Sequence, residues 1–247
     1  MIDKAKENGI DVEEVLNDQF PDFKANDLTR DKLFKIFFED FSEYIPMLAN
    51  VYMSQLDSEL VVEQISQKTT VWVESWSDEL SELMQLSSHN ELENILVKGL
   101  KNGKGIEDIA RDILENGIRD EFYKARRAAL TETLRAHSVA REESIQQCPA
   151  AEYKEWKHSG AYRIEPRENH VNMSGQVVPK DQPFTLVGRD GFTYYPQYPR
   201  DTSLPAGESV NCHCIHRGVA SENVLGLSAD ERRRLQQQAI DEMSDEW

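Results

Sequence analysis

The sequence is poor in cysteine and has no long apolar run. Three cysteines occur in 247 residues, and two of them are separated by a single residue, which does not suit the disulfide framework of a small secreted protein. No stretch of about 18 apolar residues could span a membrane, and the first residues, MIDKAKENGIDVEEV, show neither a basic leader nor an apolar signal core. We therefore expect a protein of a reducing cytoplasm with no membrane partner.

The sequence also lacks the common catalytic signatures. It contains no nucleophile elbow, no glycine loop that would cradle phosphate, no His-Glu-x-x-His and no paired-glycine dinucleotide fingerprint. Each of these motifs places a reactive side chain or a backbone N–H at a fixed spacing. Their absence means that the sequence does not favour an enzyme.

Negative charge is concentrated in the first half of the chain. The net charge is −17 overall. Residues 1–120 carry 26 acidic and 12 basic side chains, whereas residues 121–220 carry 12 acidic and 13 basic ones. An acidic surface repels nucleic-acid phosphates and suits solvation or docking to a basic partner. We do not expect the first half to bind nucleic acid.

Apolar residues at steps of three and four predict that the first 147 residues are chiefly helical. The first helix is predicted to be interrupted near Pro46, where the proline ring clashes with the preceding turn. In the second, β-branched residues at 69–73 leave a strand open as an alternative. The predicted helices start at Asp27 and then cover about 61–83, 88–102, 105–116 and 120–147.

The pattern changes after Pro149. Turn residues become frequent, and six of the nine prolines fall between residues 166 and 205. This composition predicts loops and short strands. Ser228 and Glu231 have the spacing of a capping box, which predicts a C-terminal helix. The predicted strands cover about 152–158, 184–187, 192–195 and 209–219.

The fold class that follows is α+β. A helical N-terminal region precedes a small loop-rich α+β domain with short antiparallel strands. We assign residues 1–117 to an acidic helical region and residues 118–220 to the α+β domain, which contains the long helix. Residues 221–247 form a predicted helical tail.

The segment ESVNCHCIH, residues 208–216, is the densest group of metal-binding residue types. In a strand, Cys212 and Cys214 would point to the same face and could offer both sulfurs to one zinc ion. His170 is the leading further ligand, and His216 or Cys148 could supply the fourth. Simple burial of the cysteines, a redox pair, and a cysteine nucleophile activated by a neighbouring histidine stay open as alternatives.

Basic residues are grouped in the middle of the chain. They could contact DNA, but the net charge of this region is close to zero, so contacts within the protein or simple solvation of the charges are favoured. The grouped residues are Arg126, Arg127, Arg135, Arg163, Arg167 and Lys180.

Several segments occur in an order that resembles the phage Mu F-like family of minor head proteins. They are LVKGLKNGKGIEDIARDI, ARRAALTETLRAHSVA, YKEWKHSGAYRIEPRENHVNMSGQVV and AGESVNCHC. The matching positions are Thr131, Glu132, Thr133, Lys154, Trp156, Arg167, His170, Gly175, Asn211, Cys212 and Cys214. The sequence departs from the family pattern at Leu130 and His213, where the family usually has arginine.

The resemblance implies a virion protein that associates with the portal and other head proteins in the host cytoplasm during procapsid assembly. It also implies help in packaging or delivering DNA, with direct contact to viral DNA left open. The family brings no established catalytic residues. Two other functions are kept: a divergent nucleotidyl- or ADP-ribosyl-transferring domain using His170, Tyr194 or Tyr195, and Glu208, and a small DNA-binding module.

Overall fold

The computed structural model describes residues 26–83, 118–159 and 166–245. Two compact units are formed, one from residues 1–39 and 75–126 and the other from residues 40–74 and 127–247. None of the helices in the described ranges is long and apolar enough to cross a membrane. The predicted helices at 88–102 and 105–116 lie outside the described residues.

In the first unit, the start of helix α1 (Asn26–Leu56) contacts the end of helix α2, which covers residues 67–83. The Arg30 guanidinium donates to Asp78 at 2.6 Å, an exposed ion pair that contributes less than about 1 kcal/mol. Trp76 and Leu80 are buried. Apolar burial on α2 therefore stabilises this unit more than the ion pair does.

Helix α1 continues through Pro46, so the predicted interruption is wrong. Proline costs a helix about 3 kcal/mol because it removes one hydrogen bond and crowds the preceding turn. Burial of a large apolar side chain contributes about 1.5–3 kcal/mol. Several side chains flanking the proline are buried, and together they outweigh its cost: Phe41, Ile45, Ala49 and Met53.

Helix α2 begins at residue 67, six residues later than predicted. Ser66 precedes it, and the Ser66 backbone N–H and hydroxyl donate to Glu143 at 2.6 and 2.8 Å. Before it, Asn50 of α1 exchanges two hydrogen bonds with the Val62 backbone, which holds residue 62 out of a helix. The β-branched segment 69–73 is helical, so the alternative of a strand is wrong.

Helix α3 (Ile118–Gln147) confirms the prediction of a long helix at 120–147. Its inward face carries Ala136, Val139, Ala140 and Ile145, all of which are buried. The Cys148 N–H still bonds to the Ser144 carbonyl before Pro149 ends the helical path. The chain then turns directly into the sheet.

A three-stranded antiparallel sheet follows, with β1 (Ala151–Lys157) between β2 (Val177–Pro179) and β5 (Ile215–Ala220). Strands β3 (Leu186–Val187) and β4 (Thr193–Tyr194) form a separate pair. The register places Trp156 opposite His216 and Lys157 opposite Ile215. Three of the four predicted strands are therefore confirmed within a few residues, and β2 was missed because only three residues pair.

The predicted strand at 209–219 is wrong in its first half. Residues Ala206–Ser209 form the short helix α5, and Asn211 has a φ of +56°. A left-handed residue breaks the extended path, so pairing starts only at Ile215. Cys212 and Cys214 consequently lie in a loop between α5 and β5, and not on a strand.

The C-terminal segment packs into the second unit. Helix α6 (Glu222–Leu225) leads to helix α7 (Ala229–Asp245). Its predicted capping box is confirmed, because the Ser228 N–H donates to the Glu231 carboxylate at 3.0 Å and the Glu231 N–H donates to the Ser228 hydroxyl at 3.3 Å. Arg232 of α7 is buried and donates to Asp57 at 2.6 Å. The helical N-terminal region and the small antiparallel domain confirm the α+β class. The domain boundaries after residues 117 and 220 stay predictions.

Candidate metal centre

His170 lies at the centre of a group of buried polar side chains. It belongs to the short helix α4 (Glu168–Asn172) and is buried. Its Nε2 lies 2.8 Å from Oε2 of Glu208, which is also buried. Its other ring nitrogen, Nδ1, faces two sulfur atoms. The ring therefore connects a carboxylate on one side with two thiols on the other.

Cys212 and Cys214 supply those sulfurs. The distances from their Sγ atoms to His170 Nδ1 are 3.5 Å and 3.6 Å. Within the described ranges, these three residues are a group of potential metal ligands whose donor atoms all lie within 4.8 Å of one another. The predicted association of His170 with both cysteines is thus present in the geometry, although the cysteines reach it from a loop.

His158 also reaches this group, and the sequence did not predict it. Its Nδ1 lies 3.6 Å from Sγ of Cys214, and its side chain is half-buried. The strand register explains the position. Because Lys157 pairs with Ile215 at the end of the sheet, the next residue of one strand lies beside the preceding residue of the other. Only the register could have revealed this neighbour.

The two residues predicted as the fourth ligand lie elsewhere. Nε2 of His216 is 3.0 Å from Oε2 of Glu142, and its ring stacks on Tyr198. Cys148 is buried at the end of α3, and burial raises the pKa of its thiol. The described contacts bring His158 to the cysteine group in place of His216 or Cys148.

Arg200 fixes the loop that carries the cysteines. Its guanidinium donates to the carbonyl oxygens of Cys212 at 2.6 Å and of Cys214 at 2.8 Å, and to the Ser138 hydroxyl at 2.5 Å. Arg200 is almost fully buried, and its backbone has a φ of +67°. A left-handed residue that is not glycine costs roughly 1 kcal/mol or more, so its contacts must hold it there.

One family-motif residue of α3, Thr131, contacts the same loop, and a second, Glu132, is linked to it through Arg135 and Arg200. The Thr131 hydroxyl lies 3.4 Å from the Asn211 N–H. Glu132 accepts from Arg135 at 2.8 Å, and Arg135 also donates to the Arg200 carbonyl. The helix therefore positions the cysteine loop through side-chain and backbone hydrogen bonds.

Three further motif residues contact the cysteine loop or its neighbours. The Arg167 guanidinium donates to the Val210 carbonyl at 2.6 Å. Gly175 has a φ of +91°, where a side chain would be strained, and its N–H bonds to the Trp156 carbonyl at 2.8 Å. Trp156 is fully buried and meets the His170 ring edge to face at 6.1 Å. These motif residues therefore meet in one packed centre, whereas the motif residue Lys154 contacts Glu142 and Gln197 instead.

The pKa values of the two cysteine thiols depend on each other. Hydrogen bonding from Cys214 lowers the pKa of the Cys212 thiol well below its usual value, and His170 and the Arg200 charge act in the same direction against burial. The same hydrogen bond, together with burial, raises the pKa of Cys214. Burial would raise the pKa of Glu208, but hydrogen bonds from the Arg189 backbone, Asn169 and His170 lower it.

A second group of buried polar side chains lies around Lys154 in strand β1. Lys154 is fully buried and donates to Glu142 at 2.7 Å and to Gln197 at 2.8 Å. Burial would raise the pKa of Glu142, but the Lys154 charge and the contact with His216 outweigh it and lower the pKa to about 2. Burial lowers the pKa of His216 despite its proximity to Glu142. Sequence reasoning did not identify this group as a buried ion pair.

The residues suggested for a transferase do not act as one set. His170 and Glu208 are buried against each other, whereas the Tyr194 hydroxyl donates to Asp190 at 2.5 Å and Tyr195 is 63% exposed. The contacts of His170 and Glu208 fit orientation of the ring. They give no support to group transfer.

Three of the grouped basic residues donate to other parts of the protein. Arg135 donates to the Arg200 carbonyl, Arg167 donates to the Val210 carbonyl, and Lys180 donates to the carbonyls of Gln146 at 3.0 Å and Cys148 at 3.2 Å. These contacts match the expectation of internal pairing. They leave the DNA-binding alternative without support from these three side chains.

Comparison with known proteins places this centre in a family. A family model described as Phage Mu protein F like protein matches residues 90–217, just over half of the chain. The chain is also similar to YqbB, an uncharacterized protein of Bacillus subtilis (strain 168), with 36% identity over 199 residues. That alignment covers 81% of this chain and 64% of YqbB, so the chain spans less than two thirds of this relative. No solved structure matches the chain.

The matched region contains all of the motif residues and the whole cysteine group. Residues from α3, β1, α4 and the cysteine loop, which are distant in sequence, meet there in one buried cluster. The protein thus belongs to the phage Mu protein F-like family, which is a family of bacteriophage head morphogenesis proteins.

Proposed function

We propose that this protein is a minor head protein of a tailed bacteriophage that associates with the portal during procapsid assembly and assists DNA packaging or delivery. The family match over residues 90–217 carries the proposal. Head families of this type are typically structural, which agrees with the internal use of the His170 and Glu208 side chains. On this proposal the protein acts first in the host cytoplasm and then resides in the virion.

An apolar surface on α1 supports binding to another head protein. Tyr44, Met47 and Val51, which we call the α1 stripe, follow one another at steps of three and four and are 48%, 53% and 50% exposed. Large apolar side chains grouped on a surface mark protein contact sites. The α1 stripe lies in the acidic part of the chain, which suits a partner with basic residues around an apolar patch.

Co-expression with the portal protein of the same phage tests this function. We expect the wild-type chain to co-purify with the portal and to be present in procapsids. The double variant Met47→Glu and Val51→Glu should lose this association because it places charge in the apolar contact. Ser42→Glu, at an exposed position on the other side of the same helix, should retain it.

The control variants separate the two parts of the proposal. If folded wild-type protein does not associate with the portal or with procapsids, the proposed function is wrong. If the wild type associates and the double variant associates equally well, the α1 stripe is not the contact surface. Circular dichroism of each variant confirms that helix content is unchanged.

A further inference from the structure

The cysteine group has the dimensions of a tetrahedral metal site. We propose that His158, His170, Cys212 and Cys214 bind one Zn²⁺ ion as a closed structural centre. With Zn–S near 2.3 Å and Zn–N near 2.1 Å, sulfur and nitrogen ligands of a tetrahedral ion lie about 3.6 Å apart. Three of the four sulfur–nitrogen pairs lie 3.5, 3.6 and 3.6 Å apart. The ligand atoms of His170, Cys212 and Cys214 all lie within 4.8 Å of one another, and His158, which contacts Cys214 alone, completes the set on metal binding by a movement of its half-buried side chain towards Cys212.

Hydrogen bonding satisfies only some of the contacts in this cluster at once. His170 Nδ1 has one lone pair, yet two sulfurs lie within 3.6 Å of it. The Cys214 sulfur in turn faces the Nδ1 atoms of both histidines. The Cys214 thiol proton can satisfy only one of these contacts, and the other would need His158 to donate from Nδ1. A cation between the four atoms satisfies all of them.

Glu208 prepares His170 to bind a metal. A carboxylate only accepts hydrogen bonds, so His170 Nε2 carries the proton in its 2.8 Å contact with Glu208. In the neutral ring this leaves the lone pair on Nδ1, which points to the sulfurs. A carboxylate behind a ligating histidine is the usual outer-sphere partner that fixes the ring and raises its basicity. The Asn169 amide also donates to Glu208, at 3.1 Å, and holds the carboxylate in place.

Hydrogen bonds to the backbone and the strand register fix the positions of the remaining ligands. Arg200 binds both cysteine carbonyls, and the β1–β5 register places His158 beside Cys214. Four protein ligands leave no coordination position for water or substrate, so the centre is structural. Two thiolates balance the charge of Zn²⁺. In a two-iron cluster with mixed ligands, the histidines and the cysteines would bind different irons, which does not fit sulfur–nitrogen contacts of this length.

Metal analysis of the full chain, purified without a metal-binding tag, provides the first test. We expect one zinc per chain by elemental analysis. We also expect the Co²⁺-substituted protein to show the intense visible bands of tetrahedral cobalt and a thiolate charge-transfer band. Folded protein that contains no zinc, and that takes up neither zinc nor cobalt after reduction, would overturn the proposal. A disulfide between Cys212 and Cys214 that forms under reducing conditions would overturn it as well.

Variants test the ligand set. His158→Ala should weaken zinc binding at least 100-fold and change the cobalt spectrum, whereas His213→Ala, in the same loop but outside the cluster, should leave both unchanged. Glu208→Gln should weaken binding about 10- to 100-fold, as removal of an outer-sphere carboxylate does. If His158→Ala keeps wild-type affinity and spectrum, His158 is not a ligand and the closed centre is wrong.

A measurement on the wild-type protein tests the proposal even if the ligand variants fail to fold. Alkylation of thiols in the native protein should spare Cys212 and Cys214 until a strong chelator is added, and Cys148→Ser should not change this protection. Alkylation of both cysteines at the same rate with and without chelator would contradict zinc binding. The test is independent of portal association, so its failure and that of the proposed function can be told apart.

Discussion

Two groups of buried polar side chains lie along strand β1, and they differ in where the balancing positive charge comes from. At Lys154 the ammonium is surrounded by the Glu142 carboxylate and the Gln197 amide, so a cation is supplied by the chain itself. Beyond Trp156, two thiols and two imidazoles converge, and these groups can accept a cation but do not supply one. Arg200 lies nearby, yet its guanidinium binds the cysteine carbonyls.

The two groups therefore differ in whether they need a cation that the chain itself does not supply. A buried ion pair needs no further group once both partners and their hydrogen bonds are in place. A change of pH that neutralises one partner lowers its contribution to the free energy of unfolding. On the zinc proposal, the cysteine group needs a bound metal, so a chelator or oxidation of the thiols should destabilise it. Four predictions, from the largest effect to the smallest, test this contrast.

The largest effect is expected at the cysteine group on metal removal. Binding of a structural zinc ion contributes on the order of 10 kcal/mol in small zinc domains at neutral pH. A strong chelator should therefore lower the melting temperature of the wild type more than any single substitution near Lys154 does. Differential scanning calorimetry with and without chelator measures this. An unchanged transition would show that the two groups do not differ in this way.

The next effect is expected at the charged group. Lys154→Met should destabilise the protein by about 3–5 kcal/mol, because Glu142 would be left as a buried charge without its partner. Urea unfolding followed by tryptophan fluorescence measures the loss. Lys157→Met, at the half-buried end of the same strand, should change stability by less than about 1 kcal/mol. Equal effects of the two variants would contradict the role of the ion pair.

Acid should act on the charged group. The pKa of Glu142 is lowered from 4.5 to about 2 and that of His216 is also lowered, so the unfolded chain binds more protons than the folded one on acidification. The Glu142 contribution is present above pH 4.5 and is lost as the pH falls towards 2, by an amount of about 3 kcal/mol. Urea unfolding as a function of pH measures it. A Glu142→Gln variant that keeps the full slope below pH 4.5 would assign the loss to other groups.

The smallest effect is expected on the exposed face of the sheet. Arg217 pairs with Glu155 at 2.6 Å, but its side chain is 56% exposed. Arg217→Ala should cost less than about 1 kcal/mol because water and salt screen the pair. The comparison with Lys154→Met in the same urea assay isolates the effect of burial on ion pairs of similar length. A loss as large as that of Lys154→Met would show that burial is not the deciding variable.

Local sequence signals predicted much of the fold. The long helix at 120–147, the strand near Tyr153, the capping box at Ser228 and the α+β class are all confirmed. Each of these depends on periodicity or on a contact within a few residues. The errors at Pro46 and in the segment 209–214 arose where burial or a left-handed residue outweighed a local rule.

The candidate site was predictable in part. The order of the motif residues linked His170 with Cys212 and Cys214, and the geometry brings these three together. The fourth neighbour was not predictable, because His158 and His216 look alike in sequence. The strand register sets His158 beside Cys214, while His216 turns to Glu142 and Tyr198.

The amino-acid sequence by itself determined the helical N-terminal region, the loop-rich domain that follows it and the family. Each of these follows from residue patterns and their order along the chain. The tertiary structure decided which polar groups share a buried space. Lys154 with Glu142 and His158 with Cys214 are separated by 12 and 56 residues, and their contacts depend on packing and strand register. No rule of local spacing reaches that far.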